Sequence, residues 1–402
     1  MRVRQWQWLI YVLMTGVSVA LFFRLAIPHK FFDLDIYRHA VRWWAGGHEL
    51  YDYAQPDFLQ GFLYFTYPPF AAILLVPFGF VPLGVAGAIF TIGSVAAIFF
   101  TTKWLFEAER LRFSLLAIAF VAVPLIVLIE PMRENIMLGQ INMVLITLIV
   151  FDLLKLDRWK GVGVGLATAL KLFPGIFIVY FLVTRQWRAA IVSSATAAGA
   201  TLLAAAISPR ASWEFWTQAL WDTARVGRTD YTGNQSLLGL LSRLVAPAEP
   251  DRVIWVVLAV AVGVFGLFRA QRATRAGDIV TAMALTGLVA GLISPITWPH
   301  HLYWFVPALI SVFAGALDRG FRSPLWFLLI GGYLVSVLGV VSLVNWGVAA
   351  VPTDTPWLFL ERNAFVLLSC VLLIFTPIRH YSTHHEDSTD LSDLGHSSSL
   401  EA

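Results

Sequence analysis

Apolar runs long enough to cross a lipid bilayer recur along this chain of 402 residues, and they restrict its fold more than any other feature. About twenty helical residues span the hydrocarbon core of a bilayer, and a helix satisfies its own backbone hydrogen bonds in lipid. The chain is 58% hydrophobic and only 13% charged, whereas a soluble domain is nearer a quarter charged. The runs therefore predict an all-α polytopic membrane protein with about ten full transmembrane helices.

The positions of Arg and Lys predict how these helices are oriented, because basic residues collect in cytoplasmic loops. Arg2 and Arg4 place the N-terminus in the cytoplasm, so residues 31–66 are expected outside, with an interfacial helix at Asp33–Trp44. Residues 70–82 follow a double proline and are short, which favours a re-entrant or interfacial segment. Full spans are predicted at residues 6–26, 84–102, 113–129, 137–154, 189–207, 253–268, 278–293, 302–316, 324–344 and 364–378.

Residues 161–184 are apolar and long enough for one span, yet basic residues flank them on both sides. Lys171 and Pro174 interrupt the middle, where a straight helix would bury a charge at the centre of the bilayer. A pair of half-length helices that meet at Lys171–Pro174 resolves both conflicts. Membrane proteins use such broken helices where backbone or charge lines a cavity.

The rest of the sequence predicts a simple organisation. Residues 1–380 are expected to form one transmembrane domain, and residues 381–402 a disordered cytoplasmic tail. The single cysteine, Cys370, excludes an intrachain disulfide and a multi-cysteine metal site. There is no Walker motif or Gly-rich phosphate loop, so a cytosolic nucleotide is not the evident donor. No cofactor, metal or nucleic-acid partner is predicted.

With this topology, most of the unusual polar side chains fall on the outer side of the membrane. They are Asp33, Asp35, Arg38, His39, Glu130, Arg133, Glu134, Asn135, Lys171, Arg225, Arg228, Asp230, Asn234, Gln235, Arg243, His300 and His301, with Gln140 and Asn142 one turn into a span. Carboxylates and cations that converge at a membrane surface suit a phosphate-bearing lipid substrate. A carboxylate acts as general base on a hydroxyl, and the cations neutralise a phosphate leaving group.

Six blocks in order along the chain resemble glycosyltransferase family 87. They are Asp33-Leu-Asp-Ile-Tyr37, Phe65-Thr-Tyr-Pro-Pro69, Gly139-Gln-Ile-Asn142, Ala169-Leu-Lys-Leu-Phe-Pro174, Asn234-Gln-Ser236 and Ser294-Pro-Ile-Thr-Trp-Pro-His-His301. The resemblance implies a GT-C fold with a polyprenyl-phosphate-mannose donor and a glycolipid acceptor of the phosphatidylinositol mannoside or lipomannan type. It also implies an α-1,2 linkage and action on the outer face of the plasma membrane, among membrane lipids.

The resemblance further implies roles for individual residues. Asp33 occupies the position of the family's proposed general base, in an inverting reaction that needs no covalent intermediate. The side chains assigned to the donor phosphate or sugar are Lys171, His300, His301, Arg225 and Arg228. Those assigned to the acceptor or to support of the site are Asp35, Tyr37, Tyr67, Glu130, Gln140, Asn142, Asn234 and Gln235.

Other interpretations stay open at this stage. The same fold with another lipid-linked sugar, arabinose or glucose, is one alternative, and a lipid or sugar transporter is an alternative from a different class. Among single residues, Asp33 is alternatively a helix N-cap, and Lys171 alternatively reaches the interface with its ammonium group. Arg225 and Arg228 are alternatively ligands of lipid headgroups, while Gln140 and Asn142 suit hydrogen bonds between helices.

Overall fold

A computed structural model describes residues 2–57, 61–222, 225–340, 353 and 355–381. The predicted tail lies outside the described residues except for its first position, and so does the end of the span predicted at residues 324–344. The described chain is mainly α-helical, which agrees with the predicted class.

Eighteen described helices and one hairpin make up the fold. The helices are α1 Arg2–Leu25, α2 Phe32–Ala45, α3 Pro69–Gly79, α4 Leu83–Ala108, α5 Leu115–Leu128, α6 Glu130–Leu138, α7 Asn142–Lys155, α8 Val162–Leu170, α9 Ile176–Val183, α10 Trp187–Ile207, α11 Pro209–Glu214, α12 Leu237–Val245, α13 Arg252–Arg275, α14 Ile279–Ile293, α15 Phe305–Arg319, α16 Leu325–Leu338, α17 Pro356–Arg362 and α18 Ala364–Phe375. The strands are β1 Ala54–Asp57 and β2 Gly61–Tyr64.

Within the described residues, four helices are long and apolar enough to cross a membrane, namely α1, α4, α10 and α13. The number rises to six if each of two bent pairs counts as one span. The pair α5–α6 is bent by 86°, because Ile129 between them is extended (φ −65°, ψ 141°). The prediction of about ten full spans is therefore not confirmed. Counting apolar runs does not detect bends of this kind, and several predicted spans are helices of 10–17 residues.

The interfacial helix predicted at Asp33–Trp44 is present as α2, and its buried face carries Leu34, Ile36, Ala40 and Val41. Leu34 packs against the end of α6, where the chain turns at Gly139 with φ +72°. A Cβ at Gly139 would lie 2.7 Å from Cβ of Leu34, so only glycine allows this approach. The close contact between α2 and α6 brings Asp33 next to Gln140.

The break predicted at Lys171–Pro174 is also present. Helix α8 ends at Leu170, Lys171 is extended (φ −155°, ψ 129°), and a 3₁₀ turn at Phe173–Gly175 leads into α9. At this break the side chain of Lys171 lines a cavity. The short segment after the double proline is helix α3, which begins at Pro69 directly after Pro68.

The polar stretch before the double proline contains an antiparallel hairpin, which the sequence analysis did not predict. Strands β1 and β2 pair so that Ala54 lies opposite Tyr64 and Asp57 lies opposite Gly61. Helices α11 and α12 lie between α10 and α13. The hairpin lines a cavity, together with Phe215, Leu220, Arg225 and Val226 from between α11 and α12.

Candidate active site

One cavity of about 640 Å³ is lined by eight of the fourteen residues that were predicted to form the site. Its wall is formed by the start of α2, the hairpin, the break after α8, the loop at residues 294–301, and Phe215, Leu220, Arg225 and Val226. The predicted site residues that line it are Asp33, Tyr37, Tyr67, Gln140, Lys171, Arg225, His300 and His301. A volume of this size matches that of typical ligand pockets, about 300–1,000 Å³.

Asp33 lies in the first turn of α2 and faces the cavity. Its Oδ2 accepts a hydrogen bond from the side-chain amide of Gln140, whose Oε1 accepts one from the hydroxyl of Tyr67 at 2.8 Å. The ring of Tyr67 lies 4.5 Å from that of Tyr37, so aromatic packing holds the chain of hydrogen bonds in place. Asp33 therefore has a fixed orientation, as a general base requires.

Burial raises the pKa of Asp33 from 3.8 to about 6, and this effect outweighs the hydrogen bond from Gln140 and the charge of Lys171, both of which lower the pKa. A carboxylate with a pKa near 6 is still mostly ionised at neutral pH, yet it binds a proton more readily than an ordinary aspartate. General-base catalysis is most efficient when the pKa lies near the working pH.

Lys171 lies at the centre of a second cluster on the same cavity wall. Its Nζ is 3.0 Å from Oδ1 of Asn142 and 3.0 Å from Nε2 of His301, and it lies 5.1 Å from the centre of the Tyr67 ring. Asn142 in turn donates to the backbone carbonyl of His300 at 3.1 Å. The broken helix and the loop at residues 294–301 are thus joined through one lysine and one asparagine.

His300 is buried and His301 is partly buried, and both lie beside this lysine. Burial, together with the positive charge of Lys171, lowers the pKa of both His300 and His301 well below its usual value. The backbone N–H of Trp298 donates to Nδ1 of His301 at 3.2 Å, which turns Nε2 toward Lys171. Nδ1 of His300 is buried without a hydrogen-bond partner among the described residues. A buried polar atom of this kind on a cavity wall is expected to bind a ligand.

The two arginines assigned to the donor phosphate occupy different places. Arg225 lines the cavity, and its guanidinium lies 4.5 Å over the ring of Tyr64. Arg228 is half exposed and forms a bidentate ion pair with Asp230 at 2.9 and 2.7 Å. Arg228 is not among the residues that line the cavity. Arg225 is therefore placed to bind a ligand in the cavity and Arg228 is not, although the same role was predicted for both.

Asn234 and Gln235 are fully buried and lie behind the histidine loop rather than on the cavity wall. Asn234 accepts from the backbone N–H of Thr297 at 2.9 Å and donates to the carbonyl of Pro295 at 3.1 Å. Gln235 accepts from the backbone N–H of Phe365 at 3.1 Å and connects this loop to α18. Both residues position the loop that carries the histidines.

Asp35 and Glu130 also lie off the cavity wall. Asp35 pairs with Arg38 at 3.2 Å on α2, and Arg38 donates to the carbonyl of Phe78 at 3.0 Å, so the pair fastens α2 to α3. Glu130 is buried and accepts from the backbone N–H of Val340 at 2.9 Å, which joins the start of α6 to the residue two positions after α16. Their contacts are those of residues that hold helices together.

Several cavity residues were missed by the sequence analysis. His29 lines the cavity, and its Nε2 lies 3.0 Å from Oε2 of the buried Glu134. Asp57 and Tyr64 come from the unpredicted hairpin. His29 stands four residues before Asp33, just ahead of α2, and this spacing was the one feature of the sequence that indicated a place for His29 near the site. Among the described residues, no group of three or more His, Cys, Asp or Glu side chains is placed to hold a metal ion.

These features define a class: an α-helical multi-pass membrane protein in which an oriented carboxylate, a lysine and two histidines line the same cavity. The chain belongs to glycosyltransferase family 87, because the model of that family matches residues 65–295. The matched residues include Gln140, Lys171 and Arg225.

Curated relatives agree with this family. The chain is 33% identical over 327 residues to a polyprenol-phosphate-mannose-dependent alpha-(1-2)-phosphatidylinositol mannoside mannosyltransferase of Mycobacterium tuberculosis, a match that covers 76% of each chain. The protein of the same name from Mycolicibacterium smegmatis is 34% identical, over 75% of this chain and 73% of the relative. A phosphatidylinositol pentamannoside mannosyltransferase of M. smegmatis is 30% identical, over 86% and 85%. No solved structure shows a significant match.

Proposed function

We propose that this chain transfers mannose from a polyprenol-phosphate-mannose donor to a glycolipid acceptor of the phosphatidylinositol mannoside type, forming an α-1,2 linkage. The names of three relatives at 30–34% identity support the donor, the acceptor class and the linkage. The observation that carries the proposal is the placement of Asp33 in one cavity with Lys171, His300 and His301.

In the proposed reaction, the acceptor hydroxyl gives its proton to the carboxylate of Asp33 as its oxygen attacks C1 of the mannose. The bond between C1 and the phosphate oxygen breaks, and the polyprenyl phosphate leaves with the electron pair. Attack from the face opposite the phosphate inverts the configuration, so a single carboxylate is sufficient. The raised pKa of Asp33, about 6, suits this proton transfer.

The cluster around Lys171 is assigned to the phosphate of the donor. The phosphate gains negative charge as the bond to C1 breaks, and Lys171 with the N–H groups of His300 and His301 supplies positive potential there. Nδ1 of His300, which has no hydrogen-bond partner among the described residues, fits this assignment. Its N–H would donate a hydrogen bond to a phosphate oxygen. The reaction is assigned to the outer face of the plasma membrane by the distribution of basic residues.

The test uses purified protein in lipid vesicles with radiolabelled polyprenyl-phosphate-mannose and a phosphatidylinositol mannoside. We expect labelled acceptor from the wild type and none from Asp33→Asn, since an amide does not accept the proton. Full activity of that variant would refute the role of Asp33. Parallel assays with polyprenyl-phosphate-arabinose and polyprenyl-phosphate-glucose test the donor sugar, and transfer from either of these in place of mannose would overturn the assignment.

A further inference from the structure

We propose that Arg225 and Tyr64 form a second anion-binding subsite in the cavity, which holds the phosphodiester of the glycolipid acceptor. The donor phosphate is then left to Lys171 and the two histidines. This inference rests on the proposed function and deepens it, since it names the side chains that bind the second substrate. It also changes the assignment of Arg225, which the sequence analysis gave to the donor.

The surroundings of Arg225 are those of a prepared anion site. Its guanidinium lies 4.5 Å over the ring of Tyr64 and donates through one terminal nitrogen to the backbone carbonyl of Tyr51. Its Nε is buried and has no hydrogen-bond partner among the described residues. The side chain is held in place on the cavity wall, and its Nε–H is left without a hydrogen-bond acceptor among the described residues. An oxyanion matches the guanidinium in charge and geometry.

The contacts of Arg225 do not overlap with those of the donor cluster. Lys171 contacts Asn142, His301 and Tyr67, whereas Arg225 contacts Tyr51 and Tyr64. The charge of Lys171 acts on the carboxylate of Asp33 and opposes the rise of its pKa that burial causes, while Arg225 acts on Tyr51 and Glu214. Arg225 is therefore the cation of a different part of the wall.

A transferase that joins two phosphate-bearing lipids needs two such positions, because two phosphates at one cation cluster would repel each other. The cavity provides both on a continuous wall, since the hydroxyl of Tyr51 donates to the backbone carbonyl of Tyr67 at 2.8 Å. Tyr67 in turn is hydrogen-bonded to Gln140 and thereby connected to Asp33. An acceptor anchored at Arg225 can thus present its sugar to the same carboxylate.

The neighbouring chain suits a lipid with its phosphate at the membrane surface. Trp213 and Trp221, twelve and four residues before Arg225, are 71% and 73% exposed. Exposed tryptophans of this kind lie at the level of lipid headgroups. Leu220 and Val226 line the cavity on either side of Arg225, which gives this part of the wall an apolar border. The phosphodiester of a glycolipid lies at the same depth as these tryptophans.

The experiment measures the KM of both substrates in Arg225→Gln. We expect the KM for the acceptor to rise about tenfold or more, as for the loss of a charge-assisted hydrogen bond, and the KM for the donor to stay within about twofold. Tyr64→Leu should act in the same direction by removing the ring under the guanidinium. Arg210→Gln is the matched control, because Arg210 is 83% exposed in a surface ion pair with Glu49.

A second acceptor makes the test specific for the phosphodiester. A mannoside with the same sugars on a neutral alkyl chain should have the same KM in the wild type and in Arg225→Gln. A rise of the donor KM in place of the acceptor KM would return Arg225 to the donor site and overturn the proposal. An equal loss with charged and neutral acceptors would also overturn it, since Arg225 would then act through the fold.

Two further arms separate the remaining explanations. The KM measurements are repeated in vesicles of phosphatidylcholine alone and in vesicles with added anionic lipid. If Arg225→Gln changes only the effect of anionic lipid on the KM values, Arg225 binds the headgroups of bulk lipid and the proposal is wrong. Binding of the phosphatidylinositol mannoside is also followed by thermal shift without donor. This binding measurement tests the subsite even if the chain transfers a sugar other than mannose. We expect the phosphatidylinositol mannoside to bind more weakly to Arg225→Gln than to Arg210→Gln. Arg225→Lys replaces the glutamine variant if the latter fails to fold.

Discussion

Replacement of Gln140 by leucine tests the link between the hydrogen-bond network and the chemistry. The side-chain amide of Gln140 donates to Asp33, and this hydrogen bond stabilises the ionised carboxylate and lowers its pKa. Leucine has a similar volume and no donor. Because the ionised form loses a favourable contact while the protonated form does not, the pKa of Asp33 should rise.

The magnitude follows from the energy of such a bond. A hydrogen bond to a charged group contributes about 1.5–3 kcal/mol, and one pKa unit corresponds to about 1.4 kcal/mol. The pKa of Asp33 should therefore rise from about 6 to about 7 or 8 in Gln140→Leu. At pH 7 the ionised fraction falls from about nine tenths to between about one half and one tenth, and the rate falls with it.

The assay is the pH profile of kcat/KM for mannosyl transfer between pH 5 and 9. Activity should rise with pH through about 6 in the wild type and through about 7 to 8 in Gln140→Leu, and the two should approach each other at pH 9. Gln186→Leu is the control, since Gln186 donates to Thr184 at 2.9 Å and does not line the cavity. An acid limb that stays at the same pH in Gln140→Leu would refute the reasoning.

Three further predictions concern stability. The pKa of Asp33 in the folded protein lies above the unfolded value of 3.8, so ionisation of this carboxyl destabilises the fold. Asp33→Asn should therefore raise the free energy of unfolding at pH 8 by up to about 3 kcal/mol, measured as a higher Tm. The difference from the wild type should vanish as the pH falls from about 6 to about 4. Asn234→Ala leaves the N–H of Thr297 unpaired, so a loss of about 1–3 kcal/mol is expected, with a lower Tm and a higher donor KM; an unchanged Tm would contradict this. Gly339→Ala places a Cβ 1.8 Å from Oε2 of Glu130, at a residue with φ +76°. The peak of folded protein in size-exclusion chromatography should therefore be lost. An elution profile like that of the wild type would contradict the close packing of Gly339 on Glu130.

Motifs in the sequence were sufficient to find much of the site. Asp33, Gln140, Lys171 and His301 were all identified from short blocks, and the structure brings them to one cavity. These residue types are recognisable because a carboxylate or a lysine within apolar sequence is energetically costly unless it has a partner. The break at Lys171–Pro174 was predictable for the same reason.

Residues whose roles depend on the fold were harder to assign. Arg225 and Arg228 stand three positions apart, yet one lines the cavity and the other pairs with Asp230 at the surface. Asn234 was assigned either to the acceptor or to support of the site, and its amide holds the backbone of the histidine loop. His29 carries no motif, and its partner Glu134 comes from α6.

The sequence by itself determined the class of protein and its family, because length and spacing of apolar runs and ordered blocks are local properties of a chain. Only the tertiary structure decided which polar side chains share the cavity and how many apolar runs form full spans. The contacts that build the site join residues far apart, 107 positions from Asp33 to Gln140 and 130 from Lys171 to His301. Such contacts depend on how bent and broken helices pack, and no local pattern contains that information.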